Sequence, residues 1–194
     1  LMGEPPTIAV TATATPTVRE DIVDLLHVPE AEEVVRGFDR PNIVWSVFRT
    51  EKKWDRLKAV VEGVEGTGIV YTATRRGVER WTKRLRSENV AAAGYHGGMD
   101  AADREARQQA WVDDDLRIMV ATNAFGMGID KPDVRFVVHV DVPSSLEAYY
   151  QEAGRAGRDG ECAYAVLLFQ EPDAHTQESL IESSHPTAEE VRTV

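Results

Sequence analysis

Short runs rich in valine and isoleucine, four to eight residues long, alternate along the chain with amphipathic stretches whose apolar positions recur every three or four residues. The runs predict strands over 7–12, 43–48, 68–72, 91–95, 118–122, 136–140 and 165–169. The stretches between them predict helices over 17–26, 52–61, 76–87, 101–112, 146–153 and about 174–183. Strands separated by helices are joined by crossovers, so the expected fold is α/β, an open and mostly parallel sheet flanked by helices. Thr17 and Asp100 are the expected N-caps of the first and fourth helices, Asp100 being followed by Asp103 and Arg104 in the first turn. Trp54, Trp81 and Trp111 fall on helix positions that face the sheet, which marks them as packing residues.

The segment Gly37-Phe-Asp-Arg-Pro-Asn42 interrupts this alternation. Pro41 cannot continue a helix and biases Arg40 toward an extended backbone, as a connector requires. The expected organisation is therefore a partial unit over 1–36, a linker over 37–42, a principal domain over 43–170 and an acidic connector over 171–194. The partial unit is too short to bury a core and reads as the last βα unit of a preceding domain.

Composition narrows the class. The 194 residues are 42% apolar and 28% charged, and no apolar run approaches the length of about 18 residues needed for a membrane span, so no membrane partner is expected. A lone Cys162 excludes an internal disulfide and a zinc site of several thiolates, which fits a reducing compartment. No basic-then-apolar leader stands at Leu1, so secretion is not expected. The net charge of -11 counts at first against a polyanionic partner. Its distribution reverses that judgement: residues 1–35 and 161–194 each carry -6, whereas 36–160 carry +1. Within that middle, Arg75, Arg76, Arg80, Lys83, Arg84 and Arg86 cluster with Glu79 as the one acid among them. A solvated helix face would also read this way.

The chemistry-bearing strings lie where strands end. Tyr149-Tyr-Gln-Glu-Ala-Gly-Arg-Ala-Gly-Arg-Asp-Gly160 places Arg155 and Arg158 three apart, with Gly154 and Gly157 adding no bulk beside them, an arrangement suited to a cluster of anionic oxygens. A helix end neutralised by cations and stopped by Gly160 is the plainer alternative. Upstream, Val120-Ala-Thr-Asn-Ala-Phe-Gly-Met-Gly-Ile-Asp-Lys-Pro132 runs from a strand into a glycine loop, in which Gly126 and Gly128 permit close approach and Asp130 can hold a hydroxyl or orient an arginine. The strings Gly68-Ile-Val-Tyr-Thr-Ala-Thr-Arg-Arg76 and Tyr95-His-Gly-Gly-Met99 likewise end strands in hydroxyls, bases and glycines, as phosphate-contacting turns do. Three successive strands ending so suggest one shared face.

Together with Thr11-Ala-Thr-Ala-Thr15 and Phe38-Asp-Arg-Pro-Asn42, these strings resemble, in order and spacing, those of RecQ helicases over about residues 7 to 170. The resemblance implies an ATP-dependent superfamily-two helicase that unwinds DNA with 3′ to 5′ polarity in the cleft between two RecA-like domains, in DNA repair and recombination. Residues 43–170 would be the second such domain, of P-loop NTPase type, and its partners would be single-stranded and duplex DNA and the first RecA-like domain of the same parent chain. It implies Arg158 as arginine finger, Arg155 as its neighbour and Gln151 as a coupling residue, with Gly128 and Asp130 on the nucleotide side. Asp130 stands where the family often has asparagine. Thr74, Arg75, His96, Gly97, Thr122 and Asn123 would lie along the single-strand track. Such a protein would reside in the bacterial nucleoid or the eukaryotic nucleus.

The chain's five lysines follow Glu51, Lys52, Leu57, Thr82 and Asp130, so no phosphate-loop Gly-Lys pair occurs, and no Asp-Glu metal box occurs either. ATP and Mg²⁺ are therefore expected to be held mainly by the other motor domain, and the chain reads as a helicase fragment with little ATPase activity of its own. The matching half of another superfamily-two RNA or DNA translocase, or a non-catalytic interaction module with the same fold, are the alternatives.

Overall fold

The computed structural model describes residues 7–11, 14–35, 39–126 and 129–173. The chain divides into two compact units, Leu1–Asp39 and Arg40–Val194. The first holds one helix, α1 (Pro16–Leu25), which buries no residue. Thr15 caps it rather than Thr17, its hydroxyl accepting from the Val18 amide, because Pro16 occupies the first helical position, where its fixed φ and missing N–H cost nothing. The strand expected over 7–12 does not form across the described residues 7–11. Ile8 and Val10 are 87% and 89% exposed: the β pattern is there, and a strand without a ladder partner has nowhere to place its backbone hydrogen bonds.

In the second unit the strands are β1 (Ile43–Arg49), β2 (Thr67–Tyr71), β3 (Ala92–Tyr95), β4 (Ile118–Ala121), β5 (Val134–His139) and β6 (Ala163–Phe169). The helices are α2 (Lys53–Gly63), α3 (Arg75–Ser87), α4 (Ala101–Val112) and α5 (Leu146–Ala153). The six strands form one sheet in the order β1-β6-β5-β2-β4-β3, and every pairing is parallel. Central strands of such a sheet are covered on both faces, which is why β2 and β4 are buried at every position. The helix expected over 174–183 lies outside the described residues.

Alternating side chains build two cores. On one face Ile69, Met119 and Val137 pack with Trp111 of α4, Ala153 of α5 and Phe125. On the other, Val70, Val120 and Val138 pack with Leu57 of α2 and Val78, Trp81 and Leu85 of α3. Trp81 and Trp111 are buried and Trp54 is half-buried, as packing residues should be. Gly68 is forced by this packing, since a Cβ there would fall 2.0 Å from Cε2 of Phe136 on the neighbouring strand. No described helix is long and apolar enough to cross a membrane.

Candidate functional site

Because β2, β4 and β3 are adjacent and parallel, their carboxyl ends bring three turns together. After β2, Thr74 caps α3, its hydroxyl accepting from the Gly77 amide at 3.0 Å. The turn ahead of it is held by Asp141, which follows β5: one carboxylate oxygen accepts from Thr72 Oγ1 at 2.6 Å and from the Ala73 amide at 2.9 Å. Thr74 and Arg75 stand exposed at the helix start. Arg75 lies over the turn after β3, where a Cβ on Gly98 would come within 2.7 Å of its Nη1. In that turn His96 Nδ1 accepts from the Gly98 amide at 3.2 Å, which leaves Nε2 to carry the proton, and Gly97 is exposed. After β4, Asn123 is exposed but Thr122 is buried, its hydroxyl receiving the Ala124 amide at 3.4 Å, so Thr122 shapes the turn from within. Elsewhere on α3 the basic cluster has another use. Arg84 lies 4.3 Å from the ring centre of Trp54 and Arg80 lies 5.5 Å from that of Trp81, over a stacked indole pair.

Arg155 and Arg158 come from a different turn, and the Arg155 side chain reaches Tyr71 at the carboxyl end of β2. The segment after β4 crosses the sheet to the amino end of β5, and α5 then runs back in the same sense, so the turn that follows α5 lies near the start of β5. There the Gly157 amide donates to Val134 O and the Asp159 amide to Pro132 O. Neither arginine is helical, since α5 stops at Ala153 and Gly157 takes φ of 57°. From this turn Arg155 Nη1 donates to Gly126 O at 2.6 Å, and a Cβ on Gly126 would fall 2.2 Å from Nη2. Arg158 Nη1 donates to Ile129 O at 3.2 Å and to Asp130 at 3.1 Å, with its side chain 37% exposed. Asp130 thus orients an arginine. Gln151 is exposed on α5, and Gly128 lies outside the described residues.

The arginine turn is clamped by residues whose role the sequence hides. Arg40 donates from Nη1 to Gly154 O and from Nη2 to Ala156 O and Gly157 O, at 2.8, 2.8 and 3.0 Å. Asn42 adds bonds from Nδ2 to Gly157 O and Glu161 O at 2.7 and 2.8 Å. Besides lying in the segment expected as a connector, Arg40 and Asn42 grip the motif more than a hundred positions away. The joint presence of these residues among the family-like strings is the one signal of it in the sequence. Arg135 of β5 pairs with Asp159 and holds that carboxyl below its ordinary range. Phe125 anchors the crossing segment, packing edge-on against Trp111 and Tyr95 and accepting on its carbonyl from Tyr71 Oη at 2.9 Å. Burial holds the Tyr71 phenol well above its usual range, against the opposing pull of Arg155 beside it.

A further network ties the carboxyl end together. Lys53, almost wholly buried, donates from Nζ to Val140 O and to both oxygens of Asp173, at 2.7 and 2.8 Å, and lies 3.6 Å from Asp141. Nothing in the local pattern marks a lysine at a helix start as buried. Across the sheet, burial lowers the affinity of Lys131 for its proton, but the carboxylates of Asp114 and Asp133 outweigh it and hold the ammonium above its usual range. Among the described residues no group of three or more His, Cys, Asp or Glu is arranged to hold a metal ion.

An all-parallel six-stranded sheet sandwiched by helices is a RecA-like fold. Residues 52–160 match the helicase conserved C-terminal domain family. ATP-dependent DNA helicase RecQ of Bacillus subtilis (strain 168) is 46% identical over 186 residues, covering 95% of this chain and 31% of that protein. RecQ of Pasteurella multocida (strain Pm70) is 44% identical over 87% of this chain and 27% of its own length. The chain thus spans about a third of the curated relatives it matches. In fold it is similar to S. cerevisiae Dbp5 bound to RNA and ADP BeF3, with a TM-score of 0.72 at 22% identity over 89% of this chain and 47% of that one. The chain belongs to the helicase conserved C-terminal domain family and is similar over most of its length to part of RecQ DNA helicases.

Proposed function

We propose that this chain is the second motor half of an ATP-dependent DNA helicase of 3′ to 5′ polarity, working against a first RecA-like domain in the same parent chain. The observation that carries the reading is the presence of two groups of cations: Arg155 and Arg158 share one turn against Gly126, Ile129 and Asp130, while Thr74, Arg75, His96, Gly97 and Asn123 gather at the carboxyl ends of β2, β3 and β4. One site suits a nucleotide across a cleft and the other a strand of phosphates. Residues 1–36 would close the preceding motor domain, which accounts for the exposure of Ile8, Val10, Leu25 and Val34.

The arginine turn fits a group of anionic oxygens, since among the described residues Arg155 Nε is buried without a hydrogen-bond partner and Arg158 bonds through Nη1 alone. ATP would supply the transferable phosphoryl group, with Mg²⁺ bound mainly by the other domain. Asp130 and the Ile129 carbonyl fix the direction of Arg158, whose remaining N–H groups would meet charge developing on the γ-phosphoryl, a role worth about 10³ to 10⁵ in rate. Arg155, Asp130 and Gly128 would line the nucleotide side. Gln151 would couple nucleotide to nucleic acid. At the other site, backbone N–H groups and cations would grip phosphates and so set affinity and register rather than sequence. Lacking a phosphate loop and metal box, the chain by itself is expected to hydrolyse little ATP.

In the full-length parent, Arg158→Ala should leave ATP binding largely intact while hydrolysis falls by about 10³ or more. Near-normal turnover would remove Arg158 from the role. Arg75→Ala should weaken single-strand binding and reduce the salt slope by about 0.7; an unchanged slope would place Arg75 outside the track.

A further inference from the structure

The free edge of the sheet carries a second set of cations beside the carboxyl-end turns. β3 is the last strand, and the carbonyls of Ala92 and Gly94 point off its open side. Arg86 of α3 donates from Nε to Ala92 O at 2.7 Å, and Arg107 of α4 donates from Nη1 to Gly94 O at 2.9 Å. Since α3 and α4 lie on opposite faces, the two guanidiniums close around the edge from both sides. Capping an exposed edge in this way guards against strand addition.

Edge capping leaves much of the chemistry there unused. A cavity of about 310 Å³ opens at this edge, and its lining includes Glu79, Thr82, Lys83, Arg86, His96 and Arg107. Among the described residues Lys83, Arg86 and Arg107 form no ion pair, and each arginine commits a single nitrogen to its carbonyl. Thr82, 7% exposed, forms part of the cavity wall beside Gly94. Three cations, two of them held by their carbonyls, against one carboxylate favour an anion with several acceptor oxygens.

His96 belongs both to this cavity and to the turn at the carboxyl end of β3, so the two surfaces are continuous. Arg75 and Lys83 are eight positions apart on α3, about 12 Å along its axis. A chain of successive phosphates bridges such a distance, whereas a single inorganic anion does not. We infer that the cavity at the β3 edge is a second phosphate site, which takes the backbone of a nucleic-acid strand as it leaves His96 and passes onto α3. The inference rests on the reading of the carboxyl-end turns as a nucleic-acid surface.

The test measures binding of a labelled oligothymidylate to the 194-residue chain by fluorescence anisotropy across a salt series. Lys83 is exposed, so Lys83→Gln should keep the fold, which its thermal melt checks. It should reduce the salt slope by about 0.7, and Lys83→Gln/Arg86→Gln by about 1.4, the release expected for one and two phosphate contacts on a single strand. Lys58→Gln, which removes one charge from the surface of α2, should leave the slope unaltered. If the Lys83 and Arg86 variants keep the parent slope while Arg75→Ala lowers it, the arginines are edge caps only and the inference fails alone. If Arg75→Ala also changes nothing, the nucleic-acid reading fails and the inference falls with it. Loss of inorganic phosphate binding in Lys83→Gln with an unchanged oligothymidylate slope would reassign the cavity to a small anion and overturn the proposal.

Discussion

Arg40 donates from Nη1 to the carbonyl oxygen of Gly154 at 2.8 Å, across 114 positions of sequence. With two more bonds to Ala156 and Gly157, one guanidinium satisfies three carbonyls of the arginine turn. Arg40→Ala should therefore destabilise the second unit by about 2 to 4 kcal/mol, as judged from hydrogen bonds to a charged donor. Arg40→Lys should recover less than half, because an ammonium lacks the planar fork that reaches several carbonyls at once. Urea unfolding measures both, and an unchanged midpoint for Arg40→Ala would refute the clamp.

Gly126→Ala tests the positioning of Arg155, with a thermal melt to account for its cost in stability. The added Cβ would fall 2.2 Å from Arg155 Nη2, the far end of a flexible side chain that can swing away. Gly126 is buried and takes φ of 156°, which strains any side chain, so stability should fall by about 1 to 3 kcal/mol. Displacing the guanidinium by about 1 Å should lower hydrolysis in the full-length parent by about 10²-fold. Wild-type turnover in this variant would detach Arg155 from the nucleotide site.

Gly68→Ala addresses the core. Here the new Cβ meets a ring fixed between strands, 2.0 Å from Phe136 Cε2. Overpacking of this kind costs about 1 to 3 kcal/mol or more, and Gly68→Ala/Phe136→Leu should regain part of it. Thermal unfolding of the two variants is the check.

Lys53→Met would leave Asp173 buried and Asp141 partly buried without their cation. Removing one partner of a buried pair costs about 3 to 5 kcal/mol. The double variant Lys53→Met/Asp173→Leu should be more stable than the single one. If the two melt together, the carboxylate is not sensing the lysine.

Arg135 depresses the Asp159 carboxyl, so the folded chain holds that proton less tightly than the unfolded one. The contribution is therefore fully present above the ordinary aspartate value of about 3.9 and is lost as pH falls through the lower, folded value. The stability difference between the parent chain and Asp159→Asn should be constant from neutral pH to about 4 and shrink below it. Urea midpoints along a pH series measure it, and a difference that grows on acidification would reverse the assignment.

Much of the fold is legible in the residue pattern alone. The apolar runs mark all six strands of the second unit to within two residues, the central ones because a buried parallel strand must be apolar on both faces. The stretch over 7–12 has the same pattern and no ladder, because pattern records what a strand needs and not whether a partner is there. Thr122 illustrates the same limit. Its hydroxyl suits a phosphate contact, yet the turn it stabilises buries it.

The sequence by itself determined the alternation of strands and helices, the strings at the strand ends and the pairing of Arg155 with Arg158. All of these depend on backbone periodicity and short spacing, which are local. Only the tertiary structure decided that β3 is an edge, that Arg40 and Asn42 grip the arginine turn, and that Lys53 is buried against Asp173. It also decided that the two arginines meet Gly126, Ile129 and Asp130, because the turn after α5 packs at the start of β5. These relationships follow from strand order and from the reach of long side chains, which join positions that no local spacing connects.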